Sequence, residues 1–549
     1  MRKSYYTIVT SILGVVIGVL AATLVYNRST PKPEVVTYDG DYSEWHKLHL
    51  TLEQVRMQYV DTIDMKAMTD AAIVAALAEL DPHSVYLPPV ELTEAETELA
   101  GNFDGIGITF NVPSDTAIVL SVIPGGPSEK VGLAPGDRIL KVDDRVIAGN
   151  KTHQDSMVRM IKGPSGSKVK ILVNRDGEDI AFDITRGKIP IHSVDASFMI
   201  DDKTAYIKLT KFSRTTYYEF YTAASALRSQ GMEHLIFDLR GNTGGYFDQA
   251  LLISNEFLSK GEGIVYMEGL NRERESYDAD GWGTLQKVKL SVLIDESSAS
   301  SSEIVAGAIQ DNDRGAVVGR RSFGKGLVQE PIYFTDGSGL RLTVARFHTP
   351  SGRCIQKPYE KGDDYIYDII DRYNHGEMVS ADSVKVDSSF VYHTTQGRAV
   401  YGGGGIIPDI FVPMDTTMAT RFYVQCANKA TTMRFASVMF DKYKASLSKI
   451  DDFEALDQYL KTIDIESQFL KYAADVDGLK PQGSEWEDSK EYMLPQINGL
   501  VGRFSKLGEE AFYRYYLPID QTIQRAIENG GTLLQIRVAD VTETTSTSQ

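Results

Sequence analysis

Residues 295–311 read DESSASSSEIVAGAIQD, with serines at five of the six positions from 297 to 302 and an apolar, helix-like run directly after them. Ser300 and Glu303 stand in S-x-x-E spacing, which predicts a capping box and a helix starting at this point. A helix start also exposes backbone N–H groups that can hold an oxyanion. A cap and a nucleophile are therefore compatible at Ser300. What would take the serine proton is less obvious. There is no G-x-S-x-G elbow, and the nearest histidines on either side, His234 and His348, sit in no recognisable motif. A His base remains open, because triad partners need not be close in sequence. The other solution is a lysine made neutral by burial. Lys325 in RSFGKGLVQ, residues 321–329, is the candidate, with glycines on both sides and Phe323 and Leu327 near enough to exclude water. The G-x-x-x-x-G-K spacing of residues 319–326 also fits a phosphate loop, but Gly326 stands where a magnesium-binding Ser or Thr would be needed.

Working outward, the flanking sequence alternates strand and helix patterns. AYIKLTKF (205–212) reads as a strand, YYEFYTAASALRSQG (217–231) as a helix ending at a glycine, and HLIFDLRGNTGG (234–245) as a buried strand running into a Gly-rich turn. Such alternation implies crossover units around a mostly parallel sheet, whose ligands gather beyond the carboxyl ends of the strands. The turns at Gly244, Ser300 and Lys325 all follow strands. Upstream, residues 101–188 break into short β-rich runs with Gly/Pro turns, as in a small barrel-like domain. Residues 41–100 and 416–530 have helical spacing, and 531–549 read as a tail whose end, TETTSTSQ, has a composition that predicts disorder.

At 549 residues the chain exceeds one core, and length alone predicts about three or four domains. A net charge of −18 argues against nucleic-acid binding, which needs a basic face. Residues 5–26 carry no charge and are long enough, at about 20 residues, to cross a bilayer. They predict a signal anchor after a short cytoplasmic residue 1–4 segment, followed by a 27–40 linker, with the large remainder exported. Cys354 and Cys426 form no disulfide framework, and the scattered histidines form no metal motif.

Together FDLRGNTGG, SSASSSEIVAGAIQD, RSFGKGLVQ, the upstream LDPHSVYL and the later YGGGGIIPD resemble the carboxy-terminal processing (tail-specific) protease family. The order of parts agrees. The resemblance implies a multidomain α+β protein: a helical 41–100 segment, a PDZ domain at 101–188, an α/β (crotonase/Clp-protease-like) protease core at 189–415, and a helical C-terminal domain at 416–530. It further implies a Ser–Lys dyad, with Ser300 as nucleophile, Lys325 as general base and Gln329 supporting the lysine. An extended strand would hold Lys325 and Gln329 about 13 Å apart, so their contact requires the Gly-flanked turn to bend. The oxyanion donors implied are the backbone N–H of Ser301 and the Gly244–Gly245 turn. Thr243 and Ser301 depart from the residues usual in the family, without removing a side chain the chemistry needs. Asp238 and Arg240 read as structural supports of the turn.

Gly105, Ile106, Gly107 and Ile108 resemble a PDZ carboxylate-binding loop, and His153 and Met157 lie on the helix expected to form the other wall of its groove. Such a groove takes a chain terminus by β-augmentation. The activity implied is a serine endopeptidase of envelope proteins recognised by accessible C-terminal tails. It would be tethered in a bacterial inner membrane with its catalytic part on the periplasmic side, as a homo-oligomer or with an adaptor, and without cofactor or metal. The alternatives are an inactive membrane-tethered PDZ scaffold and a His-based hydrolase.

Overall fold

The computed structural model describes residues 44–112, 116–123, 125–150, 152–175, 177–359, 365 and 367–531. The expected membrane-spanning stretch 5–26 lies outside the described residues. Among the described residues, no helix is long and apolar enough to cross a membrane. The chain divides into two units, one ending at Ile73 and one starting at Val74. The first contains the helix Glu44–Gln58 and most of the helix Met65–Leu77.

The barrel-like part has a curled antiparallel sheet. Its strands run in the order Ile108–Asn111, Ala117–Val122, Arg138–Val142, Lys168–Arg175 and Glu178–Thr185. In Lys168–Arg175 the buried positions Val169, Ile171 and Val173 alternate with more exposed ones, as a strand with one face on a core requires. Asn102–Gly105 and Gly187–Pro190 pair antiparallel where the chain enters and leaves, so the domain is closed at its base. Its helix Gln154–Ile161 buries Met157 and Ile161, four residues apart on one face.

The α/β core is a six-stranded sheet: Val194–Met199, Thr204–Leu209, His234–Asp238, Lys289–Ile294, Ala316–Gly319 and Ile410–Phe411. Only the first pair is antiparallel. Parallel strands need crossovers, and these are supplied by the helices Thr216–Ser229, Phe247–Phe257 and Ser301–Asp311. Both faces are covered, which is why HLIFD is a continuous buried run. Leu235 and Phe237 face the crossover helices in a cluster with Phe220, Phe257, Ile304 and Ile309. Ile236 faces the other way, with Tyr206, Leu293 and Val318, and is covered by Ile523 and Ala526.

That second cover comes from the end of the chain. Seven α-helices follow Thr420 within the described residues. The first six build a bundle around Phe422, Phe435, Phe469, Trp486 and Met493, the sixth adding Ala511 and Tyr515. Leu120 of the barrel packs into this bundle, Arg138 pairs with Asp441 at 3.0 Å, and Lys444 donates to the Pro135 carbonyl. The last helix, Gln521–Asn529, lies on the core sheet, capped by Asp520, which accepts the Thr522 and Ile523 N–H groups.

A second sheet carries the lysine side of the site. In it Leu327–Tyr333 pairs with Gly339–His348, which also pairs with Val85–Leu87 and Gly263–Gly269.

Candidate active site

The strand Lys289–Ile294 ends in a turn organised by Asp295, whose Oδ1 accepts the N–H groups of Ser297, Ser298 and Gly241 at 2.9–3.1 Å. The supporting serines then fasten this turn to the Gly-rich one. Ser298 Oγ donates to the Leu239 carbonyl at 2.9 Å, Ser302 Oγ to Asn242 at 2.9 Å and Ser301 Oγ to Gly245 at 3.0 Å. Ser300 is left at the helix N-cap with φ 54° and ψ −114°, a backbone state that a non-glycine residue holds only when its surroundings enforce it.

Gly244 lies directly against it. A Cβ there would stand 2.8 Å from both the Ala299 carbonyl oxygen and Ser300 Cβ, and φ is +99°. Its own N–H is donated to Asn242 Oδ1 at 2.9 Å. At the next residue, Gly245, the Phe212 carbonyl stands where a Cβ would be. The Ser301 N–H is the first of the helix, where the helix offers no acceptor.

The sequence marks Glu303 only as a cap. In the structure it is fully buried and joins the two halves of the site. Oε2 accepts the N–H of Ser300 at 2.8 Å and of Lys325 at 2.9 Å; Oε1 accepts from Gly324 N–H at 2.7 Å and from Ser322 Oγ at 2.5 Å. Burial pushes its carboxyl up, against these four donors. One oxygen atom thus fixes the backbones of Ser300 and Lys325 to each other.

Lys325 precedes the strand Leu327–Tyr333 rather than lying in it, and Gly324, at φ +89°, makes the bend. The 13 Å separation of an extended chain does not apply, and Lys325 Nζ donates to Gln329 Oε1 at 3.2 Å. The ammonium is pushed below its ordinary value, first by burial and then by the positive charge of Arg341, while Glu303 and Asp81 oppose the shift. Neither sequence-flagged histidine is bonded to Ser300. His234 starts its strand, at the end opposite the Gly turn, and pairs with Ser291 Oγ at 3.0 Å. His348 stacks on Tyr266, centroids 4.7 Å apart. Burial lowers His234 to about 4.

Asp238 and Arg240 do support the turn. Arg240 pairs with Asp238 at 2.6 Å and with Asp520 at 2.8 Å, and Lys208 adds a further contact to Asp238 at 3.2 Å. Burial alone would raise the Asp238 carboxyl, but these two cations hold it well below the usual range.

In the barrel domain, Gly105 ends a strand, Gly107 takes φ +75°, and Ile108 begins the end strand of the sheet, so among the described residues one edge of Ile108–Asn111 has no strand beside it. Ile106 is buried, and its carbonyl accepts the Ser128 N–H at 3.0 Å. His153 is exposed at the start of the helix. Met157 is a correction: it is 0% exposed and packs in the domain core with Val119, Ile139 and Ile171, so its side chain does not line an open groove. Cys354 and Cys426 are free thiols. Among the described residues no group of three or more His, Cys, Asp or Glu side chains is placed to hold a metal ion.

A PDZ-type domain ahead of a crossover α/β core with a serine-bearing helix start defines a serine-type peptidase. The sequence models of a PDZ domain and of Peptidase family S41 match residues 105–185 and 203–364. Carboxy-terminal processing protease CtpA of Bacillus subtilis is 34% identical over 320 residues, covering 58% of this chain and 68% of the relative. A carboxy-terminal-processing protease of Bartonella bacilliformis is 33% identical over 308 residues, covering 55% and 70%. The solved photosystem II D1 C-terminal processing protease is 30% identical, with 57% and 84% covered and a TM-score of 0.35. The chain belongs to the carboxy-terminal processing protease family.

Proposed function

We propose that this chain is an endopeptidase in which Ser300 Oγ attacks a substrate carbonyl while neutral Lys325 takes its proton. The Ser301 and Gly245 N–H groups receive the developing oxyanion, and Lys325 returns the proton to the leaving amine. Water then resolves the acyl-enzyme by the same route in reverse. The observation that carries this reading is the Glu303 carboxylate bridging the Ser300 and Lys325 amides, since a shared anchor serves two groups that must act together. The contact with Gln329 and the lowered Lys325 pKa support the lysine as base.

The substrates are proteins with accessible C-terminal tails, paired along the uncovered edge of Ile108–Asn111 with the terminal carboxylate at the Gly105–Gly107 loop. The uncharged stretch 5–26 supports a tether in a bacterial inner membrane and envelope substrates on its outer side. The test is cleavage of an unfolded protein and of a tail peptide, with free and amidated ends, followed by mass spectrometry. Ser300→Ala and Lys325→Ala should each lose at least about 10³-fold in kcat, and amidation should raise KM. Tail binding without cleavage by the unmodified chain would instead establish the inactive scaffold.

A further inference from the structure

The segment between the first helices and the barrel domain reaches the lysine side of the site. We propose that the loop Asp81–Ser84 is part of the catalytic apparatus, with His83 as a positioning residue that holds the lysine-supporting amide of Gln329 and the lysine turn in working register. This deepens, and rests on, the dyad reading above.

Two arms leave His83. Through the first, Gln329 Nε2 donates to the His83 main-chain carbonyl. A carbonyl only accepts, so the amide's NH2 must face His83 and its oxygen must face Lys325 Nζ, as found at 3.2 Å. With Gln329 turned the other way, its NH2 would confront the lysine donor. Through the second arm, His83 Nε2 lies 2.9 Å from Tyr365 Oη, which also receives Gln356 Nε2 at 3.4 Å; Gln356 Oε1 in turn accepts the Gly326 N–H at 2.8 Å. The arms close on Gly326 and Gln329, on the C-terminal side of Lys325.

The loop is built to hold that position. Asp81 Oδ1 accepts the N–H groups of His83 and Ser84 at 2.8 and 2.9 Å, and Oδ2 accepts Ser84 Oγ at 2.6 Å. Thr343 ties the loop to the sheet, donating Oγ1 to Asp81 at 3.2 Å and N–H to Ser84 Oγ at 3.1 Å. Thr343 is also the residue paired opposite Gln329 across the hairpin, so loop and amide share one support. Val85–Leu87 then continues as a strand against Gly339–Arg341. Burial is the largest influence on the His83 imidazole and lowers it to about 4, so near neutral pH it is an uncharged linker.

The test is steady-state cleavage by the full chain carrying Asp81→Ala, Asp81→Asn or Tyr365→Phe, beside Lys325→Ala. Asp81→Ala should lower kcat on the order of 10- to 100-fold, the scale of a displaced catalytic group, and leave KM within about twofold. Asp81→Asn removes the charge but keeps the Oδ1 acceptor for both N–H groups, so it should recover most of kcat. The proposal is overturned if Asp81→Ala keeps the full kcat, if it changes KM alone, or if Asp81→Asn is as slow as Asp81→Ala. Should Asp81→Ala not fold, Tyr365→Phe decides: kcat lowered several-fold at constant KM supports the loop, and an unchanged kcat sinks it. Cleavage retained by Lys325→Ala would remove the dyad itself, whereas an inactive Lys325→Ala beside a full-rate Asp81→Ala removes only the role of the loop.

Discussion

The two faces of the core sheet are covered by different parts of the chain. One carries the crossover helices, among them the Ser301–Asp311 helix that presents Ser300. The other carries the C-terminal helix, with Ile523 and Ala526 on Ile236 and Leu293, and Asp520 reaching Arg240 beneath the Gly turn. The first face delivers chemistry and is fastened by short polar bonds among serines, Asp295 and Asn242. The second delivers rigidity, mostly through apolar contact. The Gly241–Gly245 turn sits between them and is held from both sides, so a change on each face should fail in its own way.

Gly244→Ala should have the larger effect. Its Cβ would meet the Ala299 carbonyl and Ser300 at 2.8 Å in a left-handed backbone state, so the Gly turn must move away from Ser300. A drop in kcat on the order of 100-fold is expected, with the folded chain retained by circular dichroism. Ile523→Ala should do the reverse. Removing a buried side chain costs about 2–5 kcal/mol, so the melting temperature should fall while kcat, measured well below melting, stays near that of the unmodified chain. If Ile523→Ala instead slows kcat as strongly as Gly244→Ala, the division of labour between the faces is wrong.

On the face that carries Ser300, the helix start was legible in the sequence because its signals are local. S-x-x-E marks a helix start, and strand–turn–helix alternation places Ser300 after a strand end. The back face was not legible. The helical spacing of residues 416–530 announces buried faces, but periodicity does not say against what, and the sheet that receives Ile523 is built from strands hundreds of residues earlier. The same limit applies to Met157. Four-residue spacing from His153 gives a shared side of the helix, not whether the side chain meets a groove or a core, and packing put it in the core. His83 stood in a motif, LDPHSVYL, whose Asp-x-x-Ser pattern signals a tight polar turn. Its partner Gln329 is 246 positions away, so no local rule could pair them.

In the proposed dyad, uncharged Lys325 activates Ser300. The direct measurement is the rate at which an active-site-directed acylating reagent modifies Ser300 across a pH series, with the modified residue located by mass spectrometry. Because burial and Arg341 depress the lysine below its ordinary 10.5, the amine is protonated and idle at low pH and becomes available as pH rises through the lowered value. The expected rate on Ser300 climbs through a pKa well below 10.5 and is lost in Lys325→Ala. A rate that survives Lys325→Ala, follows a group titrating near pH 6–7 and disappears with a histidine substitution would contradict it.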